Sequence, residues 1–283
     1  MTKIHQLEQS KFIRIKGKLY DLSQPKIMGI LNLTPDSFFE ESRKTTLKAA
    51  LQAAEKMIKE GAEILDIGAI STRPNAEIPD EDEEWKRLKE ILIELRIIFP
   101  NIVISVDTFR SRIAEKAILS GADIINDISG GQFEPEILTV VAANKTPYVL
   151  AHSLGKGKNS IPNSENSLIM GELIRFLSEK INLLQQLGHN DIIIDPGFGF
   201  DKTIDDNYEI VRNFEMLHIL ERPLLVGISR KSMIWKKLAI SMEDSLNGTS
   251  ILHTLLYTKK CNVFRVHDVT EMKQIRELLQ LSI

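Results

Sequence analysis

Ile102-Val103-Ile104-Ser105-Val106-Asp107-Thr108 is followed by a helix-like stretch ending Ile118-Leu119-Ser120-Gly121-Ala122, and then by Asp123-Ile124-Ile125-Asn126-Asp127. Two apolar runs of strand length each close on a polar residue, Asp107 and Asn126. Gly121 stands where a helix can stop in a left-handed C-cap, a conformation glycine adopts without a Cβ clash. Working outward, the same rhythm occurs eight times. The other runs are Lys26–Leu31, Glu63–Ile67, Tyr148–Ala151, Asp191–Ile194, Leu224–Ile228 and Asn262–Val266. Their polar ends are Asn32, Ser71-Thr72-Arg73, His152, Asp195, Arg230-Lys231, and Arg265 with His267. Eight strand-helix units predict an α/β fold of the closed (β/α)8 TIM-barrel kind, whose chemistry lies at the strand C-termini and the loops after them.

The helix endings repeat as well. Lys59-Glu60 runs into Gly61, and Gln186-Leu187 into Gly188, each with a strand close behind. Before the first unit, Phe12–Tyr20 alternates apolar and polar residues around Gly17, which predicts an N-terminal β-hairpin over about residues 11–22 that covers the bottom of the strand ring. The acidic run Asp80–Glu84 opens a helix and suits its positive dipole end. Two helical stretches, Lys231–Ala239 and Glu243–Lys259, give the seventh unit an extra turn.

The chain has 283 residues, enough for one barrel of about 250 residues plus a short extension. No linker-like segment divides it, so a single domain over 1–283 is expected. Lys and Arg total 36 against 39 Asp and Glu, which gives no support for a nucleic-acid partner. The lone Cys261 excludes an internal disulfide framework and reads as a small buried side chain. The polar start, Met1–Ser10, lacks a signal-like apolar core, and no run reaches the roughly 18 apolar residues of a membrane span. A cytoplasmic location without membrane contact is expected.

Several loop residues can carry chemistry. In Asn32-Leu33-Thr34-Pro35-Asp36-Ser37-Phe38, Pro35 enforces a loop, and the Asn32 amide oxygen suits a hard cation such as Mg²⁺ that shares its coordination with phosphate. An Asx turn is the alternative reading there. Asp107, Asn126 and Asp195 each close an apolar run, and together they offer acceptors and one amide to the edge of a flat heterocycle such as a 2-amino-4-oxo pyrimidine. Asp66 and Asp127 are read as helix N-caps. Gly197-Phe198-Gly199 lacks a dinucleotide fingerprint and reads as a close backbone approach with Phe200 as a wall. Loops after strands seven and eight of such barrels often hold phosphate, which points to Arg265 and His267.

At these residues the chain resembles the dihydropteroate synthases, folate-pathway enzymes inhibited by sulfonamides. The matching pieces are Met28–Phe38, Ser71-Thr72-Arg73-Pro74, Ser105–Thr108, Ile124–Gly130, Asp195–Phe200, Gly227–Ser232 and Arg265–Val269, in family order. The resemblance implies a transferase that condenses 6-hydroxymethyl-7,8-dihydropterin diphosphate with para-aminobenzoate to dihydropteroate and diphosphate, with Mg²⁺ and as a homodimer. It implies that Asp107, Asn126, Asp195 and Lys231 hold the pterin. Asn32, Arg265 and His267 would hold the diphosphate, with Asn32 on the metal. Phe38, Thr72, Arg73, Pro74, Phe200 and Ser232 would border the aminobenzoate. Asn32, Asp107, Lys231, Arg265 and His267 are the residues expected to carry the reaction.

Three stretches depart from the family pattern: Phe39-Glu40-Glu41-Ser42, Ile70 and Ala151-His152-Ser153. None removes a residue assigned to binding or catalysis. Two alternatives remain, a pterin-binding methyltransferase and a non-catalytic paralogue. Lys231 and the Thr34–Phe38 loop favour the synthase over the methyltransferase.

Overall fold

The computed structural model describes residues 11–33, 43–70, 79–153 and 169–281. An antiparallel hairpin, β1 (Phe12–Ile15) and β2 (Lys18–Asp21), comes first. Eight parallel strands follow: β3 (Lys26–Asn32), β4 (Ile64–Gly68), β5 (Val103–Asp107), β6 (Ile124–Asp127), β7 (Tyr148–Ala151), β8 (Ile192–Asp195), β9 (Leu225–Val226) and β10 (Val263–Val266). They pair in the order β8-β7-β6-β5-β4-β3-β10-β9. The last seam, β8 to β9, is joined by a parallel bridge between Ile194 and Leu224 and by Ile194 N–H donating to the Pro223 carbonyl at 2.8 Å. The ring is therefore the expected barrel, although the seventh run forms only two ladder residues where five were expected.

Alternation along each strand builds two cores. Outward residues such as Ile27, Ile104, Val106, Ile125, Leu150 and Phe264 pack against the helices. Inward residues from the first half of the strands form a second cluster, with Met28, Ile64, Val103, Ile124, Val149, Ile193, Leu225 and Val263. Ile13 and Leu22 of the hairpin complete that inner cluster and are fully buried. Lys16 and Gly17 both have positive φ, 48° and 77°, the geometry of a two-residue hairpin turn whose twist matches its strands. Residues at the start of barrel strands tie the hairpin down: Arg14 N–H donates to Asp191 Oδ1 at 2.7 Å, and Lys16 pairs with Asp123 at 2.7 Å. The Asn262 amide donates to the Leu22 carbonyl at 3.0 Å. The hairpin thus closes the N-terminal end of the barrel and leaves the C-terminal end open.

The helices are α1 (Arg43–Glu60), α2 (Glu81–Ile98), α3 (Ser111–Leu119), α4 (Glu136–Asn144), α5 (Ile169–Gln186), α6 (Ile204–Arg212), α7 (Ser232–Leu238), α8 (Leu246–Thr258) and α9 (Val269–Gln280). Gly61, Gly121 and Gly188 follow helices with positive φ, as expected. The seventh unit carries both α7 and α8, with a short 3-10 turn between them. Asp80 caps α2 by accepting from Glu83 N–H at 2.8 Å. Glu84 departs from the dipole reading: it is fully buried, accepts from the Thr108 hydroxyl at 2.7 Å and pairs with Arg110. Cys261 is buried. No helix among the described residues is long and apolar enough to cross a membrane.

Ile13→Ala removes the hairpin's main apolar anchor. Urea unfolding should show a loss of about 2–5 kcal/mol, the usual cost of truncating a fully buried aliphatic side chain. A loss below about 0.5 kcal/mol, within the range of ordinary surface substitutions, would mean that the hairpin is not part of the core.

Candidate active site

Strand register puts the polar strand ends at one level. Asn32 of β3 pairs with Gly68 of β4, Gly68 with Asp107 of β5, and Asp107 with Asn126 of β6. The four positions form an arc around the open mouth. Gly68 leaves room for its neighbour, since a Cβ there would stand 3.2 Å from the Cβ of Asp107. Across the ring, Asp195 ends β8 beside Ala151 of β7, and Arg265 lies in β10.

Arg265 organises the first half of the site. Its Nε donates to Asp66 Oδ2 at 2.6 Å and its Nη2 to Asp107 Oδ2 at 2.8 Å. The Asn126 amide also donates to Asp66 Oδ2, at 3.1 Å. Asp66 was expected to cap a helix, but it lies inside β4 and is fully buried, two residues before Gly68. Its charge could not stay there without a partner. Burial works against the Arg265 charge, yet Asp66 and Asp107 hold the guanidinium protonated more firmly than usual. Burial pushes the Asp107 carboxyl up; Arg265 opposes that shift and Asp66 adds to it. Arg265 therefore stands clamped between two carboxylates through its Nε and Nη2.

Asp195 organises the other half. Gly197 N–H donates to Asp195 Oδ1 at 2.7 Å, and the His152 N–H donates to the Asp195 carbonyl at 3.0 Å. Lys231, immediately before α7, donates to the Phe198 carbonyl and lies 4.2 Å from the centre of the Phe200 ring. Burial lowers the Lys231 pKa to about 8; Asp195 and Asp107 oppose the shift, and Arg265 adds to it. Burial raises the Asp195 carboxyl, against Lys231, the Gly197 N–H, Lys202 and Arg265. Both halves end strands of one parallel ring and so share its C-terminal opening.

His267 follows β10 and is exposed, with its Nδ1 3.2 Å from the Ser229 hydroxyl. Crowding lowers its pKa, as do Arg265, Arg230 and Lys231, though the water that reaches the ring screens part of that effect. Arg230 is taken up structurally. It has φ 53° and grips Asp268 with two bonds of 2.8 and 2.9 Å, locking the seventh loop to the eighth. Ser232 opens α7 next to Lys231 and is half-buried.

Of the residues read from the sequence, the structure gathers Asp107, Asn126, Asp195, Lys231, Arg265, His267, Phe200, Ser232 and Asn32 at this rim. Phe38, Thr72, Arg73 and Pro74 lie outside the described residues, as do Phe39–Ser42. Asp127 is not a helix cap: it accepts from Ser129 N–H, Gly131 N–H and the Tyr148 hydroxyl in the loop after β6. Two residues were missed. Asp66 could have been found as a charge with inward parity inside an apolar run. Lys202 carries no such signal.

A barrel with an arginine clamp beside a carboxylate-amide-lysine edge at its strand C-termini carries its polar groups where enzymes of this fold place their active sites. Residues 28–267 match the family described as pterin binding enzyme. A dihydropteroate synthase of Synechocystis sp. is 40% identical over 252 residues, which cover 88% of this chain and 87% of that protein. The dihydropteroate synthase of Xanthomonas albilineans with 4-aminobenzoic acid is similar in structure, with a TM-score of 0.88, 32% identity, and coverage of 96% of this chain and 98% of that one. The same organism's dihydropteroate synthase in complex with 7,8-dihydropteroate gives 0.84 at 30% identity, with the same coverage. This chain belongs to the pterin-binding enzyme family, and within it to the dihydropteroate synthases.

Asp66→Asn keeps the shape but removes the charge that Arg265 Nε faces. Chemical denaturation should register a loss of about 3 kcal/mol, as for a buried ion pair with one partner removed. Stability equal to the wild type would show that Asp107 alone suffices to hold Arg265.

Proposed function

We propose that this chain condenses 6-hydroxymethyl-7,8-dihydropterin diphosphate with para-aminobenzoate, forming 7,8-dihydropteroate and releasing diphosphate. The observation that carries this reading is the two-part rim: Asp107, Asn126, Asp195 and Lys231 beside Arg265, with His267 and Asn32 at the same opening. The 2-amino group and ring N–H of the pterin present a pair of donors that suits a carboxylate. Asp195 takes this role; Asn126 both donates and accepts, and Lys231 donates to a ring acceptor. Lys231 must then leave the Phe198 carbonyl, and the exchange replaces one hydrogen bond with another.

Arg265 and His267 receive the diphosphate. As the bond from the pterin methylene to the diphosphate oxygen breaks, negative charge grows on the leaving group, and the arginine stabilises it. The methylene becomes electron-poor, and electron release from the ring held by Asp195 spreads that charge. The amine of para-aminobenzoate then attacks the methylene and loses its proton. No strong base is needed, because a neutral aromatic amine is nucleophilic. Phe200 and Ser232, with Phe38, Thr72, Arg73 and Pro74, are assigned to the aminobenzoate side.

Mg²⁺ fits the donor set in one way. Among the described residues no three His, Cys, Asp or Glu side chains converge, and Asp66 and Asp107 are committed to Arg265. Asn32 offers one amide oxygen, which suits a Mg²⁺ that keeps phosphate oxygens and waters as its other ligands. When bound, the cation supplies charge neutralisation on the diphosphate. Sulfonamides are expected to compete with para-aminobenzoate. The apolar side chains Leu238, Met242, Ile251 and Leu255 are exposed on and around α7 and α8, and a second copy of the chain would cover them in a homodimer.

The test is a product assay with both substrates. Dihydropteroate and diphosphate should appear only with para-aminobenzoate and Mg²⁺ present, and chelation by EDTA should stop turnover. A chain that binds dihydropterin yet forms no product under any of these conditions would favour the non-catalytic paralogue.

A further inference from the structure

Lys202 lies outside the expected ligand set, yet among the described lysines it has the least exposed surface. It sits in the loop between β8 and α6 with 9% of its surface exposed. Its Nζ donates to the His152 carbonyl at 2.9 Å and to the Gly197 carbonyl at 2.8 Å. Those carbonyls belong to the loops after two adjacent strands, β7 and β8. Burying an ammonium costs several kcal/mol, and two neutral carbonyls offset only part of it. The opposite charge that offsets this most is Asp195. The other charged groups facing Lys202 are Lys231 from the start of α7, Asp201 beside it and Asp206 of α6. Burial dominates this balance and lowers the Lys202 pKa to about 7. Burial also keeps the adjacent His152 ring neutral, and its Nδ1 has no hydrogen-bond partner among the described residues.

The two lysines divide one loop between them. Lys202 takes the Gly197 carbonyl, and Lys231 takes the next one, that of Phe198. Gly197 is packed without slack. Its φ is +69°, and a Cβ there would stand 1.9 Å from the His152 oxygen. The same glycine donates its N–H to Asp195 Oδ1. Any shift of Gly197 therefore moves the carboxylate. Lys231 can exchange its carbonyl for a ligand, but both partners of Lys202 are backbone carbonyls of the loops after β7 and β8. Once Lys231 turns to a ligand, Lys202 is the lysine left holding the loop.

We infer that Lys202 is a positioning residue for pterin recognition: by fixing Gly197 it fixes Asp195, and its ammonium balances the carboxylate that meets the substrate edge. This rests on the pterin-binding reading above. The test titrates 6-hydroxymethyl-7,8-dihydropterin into the full-length wild type, Lys202→Met and Lys202→Gln by calorimetry, alongside steady-state kinetics with both substrates. In Lys202→Met, the pterin Kd and the KM for its diphosphate should rise about tenfold or more, the equivalent of one lost charge-assisted hydrogen bond. The KM for para-aminobenzoate should stay within about twofold, a split that general loosening does not produce. Lys202→Gln, which keeps a donor without the charge, should fall between the two, and it stands in for Met should the methionine variant not fold. A folded Met or Gln variant with wild-type pterin affinity overturns the inference. So does an equal rise in both KM values. A wild type that does not bind the pterin overturns the inference together with the reading beneath it.

Discussion

A charge placed in the mouth of a barrel must find an opposite charge, and the clamp of Arg265 between Asp66 and Asp107 meets that constraint here. Three strands, β4, β5 and β10, contribute one member each. The clamp fixes Arg265, holds Asp107 at the rim, and supplies through Asp66 the acceptor that orients Asn126. Removing either carboxylate would leave the arginine under-compensated, and removing Asp66 would also free the Asn126 amide to turn. Asp107, Asn126 and Arg265 are therefore parts of one ionic network.

The opposite wall solves the same problem with two ammonium groups and one carboxylate. Asp195 is buried, and both Lys202 and Lys231 favour its charged form. Their hydrogen bonds to consecutive carbonyls make the Gly197–Phe198 loop a rigid shelf. The hairpin matters to both walls. By filling the lower barrel with Ile13 and Leu22, it confines polar side chains to the upper half of the strands. The division of each strand into an apolar base and a polar tip follows from that plug.

The sequence made the barrel legible because its strand runs, glycine stops and polar strand ends recur with one rhythm. It also exposed most of the rim, since Asn32, Asp107, Asn126, Asp195 and Arg265 all sit at or near the end of an apolar run. What stayed hidden depends on partners far apart in the chain. Asp66 looks like a cap until Arg265, 199 positions away, is folded against it. Glu84 looks like one more first-turn acid until Arg110 covers it. Lys202 follows no strand end and belongs to no spacing; its role comes from two carbonyls that only the folded loops bring together. β9 is short because its seam residues bridge rather than extend the ladder, which periodicity does not register.

The most direct test is a crystal structure of this chain bound to 6-hydroxymethyl-7,8-dihydropterin diphosphate. The pterin edge should lie against Asp107, Asn126 and Asp195, with Lys231 turned from the Phe198 carbonyl to the ring and the diphosphate beside Arg265, His267 and Asn32. A pterin seated elsewhere, or a diphosphate on the far side of the mouth from Arg265, would contradict the account.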